Sequence, residues 1–379
     1  MQKKIAVLGG KMQGTEAVYL LHKAGYYVLL ADKNENSLAA GLADEFKQID
    51  FCDKHALKKF LLQADFVVPA LENKQALSSI IQIVEAINKP IMFDMKSYEI
   101  SSSKIISDKL FQILNIPAPQ PWPCEFPVVV KPSNRSGSEG VKKLIDKTEL
   151  RSYEKDNKDL VIQEYVDGPS YSLEIIACDG KLQTFEVTEL EMDEVYDCKR
   201  VLAPARLNDV FSAALAQMAR KLAENMKLTG IMDLEVILHK GQLKLLEIDA
   251  RLPSQTPTAV FNSSGINMLE NYVEGIKENS SNNISIQAAI YEQILVTGDM
   301  VKLCGEHIMS GRGRLHLENN FFGADEAITD YNADKDEWAA ILIINGLTIK
   351  EALQKEKQVI KNIMKQTGKK IFENLQPQL

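Results

Sequence analysis

The chain has 379 residues, 45% hydrophobic and 25% charged, with a net charge of −8. That length exceeds one ordinary core and implies two or three domains of a soluble globular protein, and the scattered charge, without a basic block, argues against a nucleic-acid partner. The opening MQKKIAVLGG enters a strand too early for a signal peptide, and no apolar run reaches membrane-spanning length, so a membrane is not expected as a partner either. Cys52, Cys124, Cys178, Cys198 and Cys304 lie far apart, in neither a zinc spacing nor a disulfide framework, which points to a reducing cytoplasm.

Residues 4–93 alternate short β-rich runs with amphipathic helical stretches. KKIAVLG, YYVLLAD, FVVPAL and PIMFD read as strands, with GTEAVYLLHKAG, HALKKFLLQ and KQALSSIIQIVEAIN as helices, so a doubly wound parallel domain is expected over 1–95. SSSKIISDKLFQILN is a further helix with serines at its start, and five prolines between Pro117 and Pro127 make a stiff connection. VVVKP, VKKLI, DLVIQEYV and the hairpin YSLEIIACDGKLQTFEV continue as strands over a second part, 96–190. Asn208 to Lys227 is a long helix in a third part, 191–379, whose last helix has a Thr348–Glu351 capping box.

Four places carry chemistry. GGKMQG, Gly9 to Gly14, follows the first strand and opens a helix, with Asp32 ending the second strand. Lys11 stands where a dinucleotide fingerprint needs its middle glycine, so the loop suits a small anion better than NAD. Glu72 follows FVVPAL at a strand's C-terminal end, where open α/β sheets bind ligands. In VVVKPSNRSGSEGV, Lys131 closes a buried strand, and Ser136, Gly137 and Ser138 belong to a loop whose N–H groups can nest phosphate, with Lys104 and Arg135 nearby in charge. In QEYVDGPSYSLEI, Glu164, Tyr165 and Val166 precede a Gly168 hinge suited to reading adenine, and Glu174 returns on the next strand.

The strongest pattern is GIMDLEVILHKGQLKLLEIDARLPSQTP, Gly230 to Pro257. Side chains alternate faces along a strand, so Asp233 and Glu235 share one face, and Glu247, Asp249 and Arg251 share one on the partner strand. Leu234, Val236 and Leu238, with Leu246 and Ile248, form the oily side. A three-residue His239–Lys240–Gly241 loop makes the acidic faces coincide, whereas a two-residue loop separates them. Acids gathered on an otherwise apolar sheet need cations, and hard oxygen donors suit Mg²⁺.

The order of these pieces resembles the ATP-grasp superfamily across nearly the whole chain. The resemblance implies an α/β ATP-grasp fold preceded by a Rossmann-like doubly wound domain, with ATP and Mg²⁺, two ions, as cofactors. It places Lys104 and Lys131 on ATP phosphates, the glycine loop over the β- and γ-phosphates, and Glu164 and Val166 around adenine. Glu235, Glu247 and Asp249 become the metal ligands. Asp249 replaces the usual asparagine, and Pro169 and Ser170 stand where many relatives place a ribose-binding glutamate, which leaves that contact open. GGKMQGTEA, ADKNENSL, ADEF, LEN, VYDC, GIMDLE and EIDARLPSQTPT with SSGIN more narrowly resemble the 3-methylornithine–lysine ligases of pyrrolysine biosynthesis.

That resemblance implies amide formation between the carboxylate of 3-methylornithine and the ε-amine of lysine, through an acyl phosphate. Arg251 would steady the tetrahedral intermediate or the transferred phosphate. Tyr196, Ser254, Gln255 and Thr256 would line the amino-acid pocket, with Asp233, Glu189 and Asp197 as candidates to position the amine. Two small amino acids are then the partners, and a homodimer is an expectation by analogy with superfamily relatives. The rivals are another ATP-grasp ligase, such as a purine-pathway carboxylase or dipeptide ligase, an NAD-dependent oxidoreductase, which Lys11 argues against, and a catalytically silent nucleotide-binding regulator.

Overall fold

The structure is a computed structural model describing residues 2–134, 140–154, 159–276 and 287–377. The N-terminal sheet is four-stranded and parallel, in the order Glu45–Gln48, Tyr27–Asp32, Lys4–Leu8, Phe66–Pro69. Strand alternation sorts its two faces. Ile5, Val7, Val28 and Leu30 pack with the helix Met12–Lys23, while Ala6, Leu8 and Leu29 pack with the helices Lys54–Leu61 and Lys74–Ala86. This is the doubly wound arrangement expected.

Two elements differ from the sequence reading. The strand Glu45–Gln48 was not anticipated: it is a polar edge of four residues, too short to show a period. PIMFD does not form a strand and makes only the isolated bridge Ile91–Val67. Pro90 has no N–H to give a ladder, and Asp94 instead caps the helix Met95–Ser101 by accepting from the Lys96 and Ser97 amides.

A small antiparallel sheet follows, ordered Lys142–Leu144, Val128–Pro132, Leu160–Glu164, and it encloses Val128, Val130, Leu144 and Leu150. Ser136, Gly137, Ser138 and Arg135 lie outside the described residues.

The remaining strands join in one 12-stranded sheet. From one edge it runs Gln242–Asp249, Gly230–His239, Ser170–Cys178, Thr188–Met192, Cys198–Ala203, Ala288–Thr297 and onward into the C-terminal strands. The helix Asp209–Met226, capped by Asn208, covers one face through Leu215, Ala219, Leu222 and Ala223 against Leu173, Ile175, Leu234 and Val236. Asp179 and Gly180 turn the hairpin between Ser170–Cys178 and Lys181–Thr184. The last helix, Ile349–Thr367, begins with a variant of the expected box: Thr348 accepts from the Glu351 amide, but Glu351 accepts from the Leu347 N–H, one residue before the cap. Among the described residues no helix is long and apolar enough to cross a membrane.

The acidic hairpin reaches the expected alignment by another route. His239 pairs with Gln242, so the loop is two residues, Lys240 and Gly241, both with positive φ. The ladder then slips: Val236 pairs with Leu245 but Glu235 pairs with Glu247, leaving Leu246 as a bulge. One extra residue reverses the faces of everything after it. Leu243, Leu245, Ile248 and Ala250 therefore face the core, and Leu246, assigned above to the oily side, is only half-buried.

Candidate active site

On the other face of the sheet, Asp233 lies opposite Asp249 and Glu235 opposite Glu247. Next door, Glu174 pairs with Asp233 and Ser172 with Glu235. Four carboxylates thus face each other on two strands, where like charges repel. Burial, then Glu247 and Asp249, push the Glu235 carboxyl up to about 8. Burial raises Asp249 to about 6 despite Arg251, and raises Asp233 well above the usual carboxylate range. Glu247 behaves oppositely: burial would raise it, but Lys104 and Lys131 overcome that and hold it low.

Two lysines supply that charge. Lys104, the first residue of the helix Lys104–Ile113, places Nζ 2.8 Å from Glu247 Oε2. Its ammonium is held above its ordinary value, burial being outweighed by Glu247. Lys131 is buried at the end of its strand, with Nζ 3.5 Å from the Leu246 carbonyl oxygen, so the bulge also presents an acceptor to it. Desolvation lowers the Lys131 pKa, with Glu247 and Asp108 partly offsetting it. Asp108, one turn along the helix from Lys104, was not singled out in the sequence.

Arg251 ties the hairpin to the N-terminal sheet. Its Nε lies 2.9 Å from Glu72 Oε1, one terminal nitrogen lies 3.0 Å from Asp249 Oδ2, and the other donates to the Leu252 carbonyl. Glu72 also accepts from Gln13 Nε2 at 2.8 Å, and its backbone oxygen accepts from Tyr98. Lys11 is exposed at the start of the helix carrying Gln13. Asp32 accepts from the Gly10 amide of the glycine loop and from the Asn34 amide of its own loop.

The hinge residues sit apart from the acids. Glu164 is held by the Gln120 amide at 3.0 Å and by Lys244, which keep its carboxyl low against partial burial. With Gln120, Pro123, Cys124 and Glu125 it lines a shallow cleft. Tyr165 receives the Lys143 ammonium 4.0 Å from its ring centroid and hydrogen-bonds Tyr196, and Val166 is buried. Glu174, read above with this group, is instead fully buried beside Asp233, its carboxyl raised to about 7 by burial.

A cavity opens over the acids. Asp233, Glu235, Glu247, Asp249 and Arg251 line it together with Ser172, Leu190, Met192, Tyr196, Asp197, Cys198, Pro253, Ser254, Gln255, Thr256 and Glu306. Tyr196 holds φ +64 in the loop before Asp197. Asp197 accepts from both the backbone and Nδ1 of His307, each at 2.9 Å. Glu189 does not share this space: its neighbours Leu190 and, beyond, Met192 line the cavity, while Glu189 pairs with Arg206 on the other face.

Glu306 was missed from the sequence. It follows the strand Met300–Leu303 in a region without a clear period, and the only cue is an acid after Cys304–Gly305 at a strand's end. The Ser254 hydroxyl donates to its Oε2 at 2.8 Å. Burial raises its carboxyl, and Ser254 only partly offsets that.

Comparisons with known proteins point to the ATP-grasp family. The ATP-grasp domain family matches residues 101–255. The 3-methyl-D-ornithine–L-lysine ligase of Methanosarcina barkeri (strain Fusaro) is 38% identical over 281 residues, covering 73% of this chain and 75% of that protein. An ADP complex of N5-carboxyaminoimidazole ribonucleotide synthetase superimposes with a TM-score of 0.71 at 16% identity, over 97% of this chain and 98% of its own. The L-amino acid ligase of Bacillus licheniformis gives a TM-score of 0.72 at 15% identity, over 95% and 98%. At those identities the two structures speak for the fold.

Proposed function

The chain belongs to the 3-methyl-D-ornithine–L-lysine ligase family of ATP-grasp enzymes, and from that premise we propose that it joins the carboxylate of 3-methylornithine to the ε-amine of lysine at the expense of ATP. The observation that carries this reading at the level of residues is the facing of Glu235 with Glu247 and of Asp233 with Asp249, beside Lys104 and Lys131. We place the reaction in pyrrolysine biosynthesis, on the resemblance of the EIDARLPSQTPT and VYDC segments.

The donor set fits Mg²⁺. It consists of carboxylate oxygens, and Asp233 Oδ1 is buried without a hydrogen-bond partner. Raised carboxyls are those that a nearby divalent cation would return to the charged form. Glu235, Glu247 and Asp249 would hold the metal, with oxygens enough for two ions, and bound Mg²⁺ would neutralise charge on the nucleotide phosphates.

The chain's own residues do the rest. Lys104 presents positive charge to the phosphates, and Lys131, whose charged form burial disfavours, would be held charged by the phosphates it meets. A substrate carboxylate attacks the γ-phosphorus, ADP leaves, and an acyl phosphate results. Arg251, oriented by Glu72 and Asp249, faces the developing negative charge. The lysine amine must then be unprotonated to attack, and phosphate leaves as the amide forms. Asp233 lies nearest the metal acids and Asp197 is engaged by His307, which favours Asp233 as the group that orients the amine. Tyr196, Ser254, Gln255 and Thr256 line the amino-acid side, while Glu164, Tyr165 and Val166 face the adenine side, so ATP spans from the hinge to the acids. Lys11 does not line the cavity, and the Gly9–Gly14 loop is tied to it only through Gln13, which donates to the Glu72 that holds Arg251.

The test is phosphate release from ATP and Mg²⁺ with lysine and 3-methylornithine, followed by mass spectrometry of the product. Release should need both amino acids and yield their amide. Equal release with bicarbonate and no amine would assign the chain a carboxylase-type reaction instead.

A further inference from the structure

The cavity wall carries more carboxyl groups than a metal ion needs. Besides Glu235, Glu247 and Asp249 it presents Asp197, Asp233 and Glu306, and among its lining residues Arg251 is the sole cation. Arg251 is already engaged by Asp249 and Glu72.

Glu306 and Gln255 form a corner of distinct chemistry. Gln255 Nε2 donates to the Cys198 carbonyl at 3.3 Å and to Glu306 Oε2 at 3.5 Å. Both partners are acceptors, so the amide can be oriented only one way, nitrogen toward them. Gln255 Oε1 is left buried and without a hydrogen bond, in a side chain only 4% exposed. The backbone of Gln255 sits at φ +77, ψ −56, a conformation a non-glycine residue keeps only where its surroundings impose it. The hydroxyl of Ser254 is spent on Glu306. Glu306 and Gln255 thus bring a carboxylate and an unpartnered amide oxygen to the cavity wall, beside the Thr256 hydroxyl, which is also without a hydrogen-bond partner and can accept.

A cluster of acceptors matches a donor-only group, and a primary ammonium has three N–H donors and no lone pair. Both amino acids of the proposed reaction are diamines with one carboxylate each. We propose that Glu306 and Gln255 form a subsite for the non-reacting ammonium group of one of these diamino acids, making Glu306 a specificity-determining residue contributed by the C-terminal third of the chain. This rests on the ligase reading above and deepens it by saying which substrate group the corner selects.

Steady-state kinetics of wild type and Glu306→Gln, each amino acid varied with the other saturating, tests it. Glu306→Gln should raise KM for one diamino acid by about tenfold or more, the scale of a lost charge-assisted hydrogen bond, with KM for ATP within about twofold. For the analogue of that substrate carrying hydrogen in place of the amine, wild type and variant should be alike. Ser254→Ala, which keeps the carboxylate but frees it to move, should raise the same KM by less. A thermal midpoint at or above wild type would show that Glu306→Gln folds. Unchanged KM for both diamino acids, or an equal rise for the deaminated analogue, overturns the subsite. Calorimetry with lysine or ornithine alone separates the two readings. Glu306-dependent binding without amide synthesis would sink the ligase reading and keep the subsite, whereas amide synthesis indifferent to Glu306 would do the reverse.

Discussion

Glu235 and Glu247 stand directly opposite each other because Leu246 is an extra residue in the strand between Glu247 and the hairpin turn. A two-residue turn by itself would send the acids of the two strands to opposite faces. The bulge returns them to one face and turns the Leu246 carbonyl toward Lys131.

Deleting Leu246 should leave the acids opposite each other, because Leu245 would then be followed directly by Glu247 in a regular ladder, and should remove the carbonyl that Lys131 reaches. Turnover should fall while the fold survives, the loss arising from a displaced Lys131 and not from separated acids. Phosphate release and a melting curve check both parts.

Glu247→Gln keeps the shape and removes the charge. The rate should fall roughly 10²-fold or more, the scale of losing one transition-state charge interaction. Lys104 would lose its 2.8 Å partner in a half-enclosed setting, so a modest loss of stability should accompany it. ADP formation by coupled assay and calorimetric unfolding read the two effects. Near-normal turnover would contradict the proposed metal role.

Arg251→Lys should lose most activity although the charge is kept. A guanidinium reaches Glu72 and Asp249 at once, and an ammonium cannot hold both in that geometry. The expected loss is about 10²-fold in kcat, with KM for ATP nearly unchanged.

Glu16 gives a pH prediction away from the cavity. It is buried in the helix Met12–Lys23, accepts from the Thr258 amide, and burial pushes its carboxyl from 4.5 to about 8. Between those values the folded protein holds a proton that the unfolded chain has released. This acid therefore weakens the fold as pH rises from 4.5 to about 8, by up to about 1.4 kcal/mol per pH unit. Glu16→Gln keeps the acceptor and cannot ionise. Its stability relative to wild type should rise across that interval and level off above it, as read by denaturant unfolding at several pH values.

Much of this was legible because alternation exposes a misplaced charge. Asp233, Glu235, Glu247 and Asp249 are conspicuous among leucines and isoleucines, and Lys131 is conspicuous at the end of VVV. The bulge was not legible, since Leu246 is one apolar residue among several and only the ladder shows it to be unpaired. Glu174 looked like a hinge residue by sequence distance, but it sits four residues into a strand that runs straight to Asp233. Glu306 was hidden for a related reason. Its partners Ser254 and Gln255 are some fifty positions earlier, and no local period joins them.

The unbroken 12-stranded sheet sets a limit on how this protein can be taken apart. The matched segment ends at residue 255, yet Glu306, which lines one wall of the cavity, follows the strand Met300–Leu303, itself hydrogen-bonded to Ala288–Thr297 on the far side of that sheet. Grafting the segment 101–255 onto another carrier would transplant the facing acids without Glu306 and without Glu72, the partner of Arg251. If the proposed subsite holds, exchanging the loop after Leu303 is the way to retune which amine is accepted.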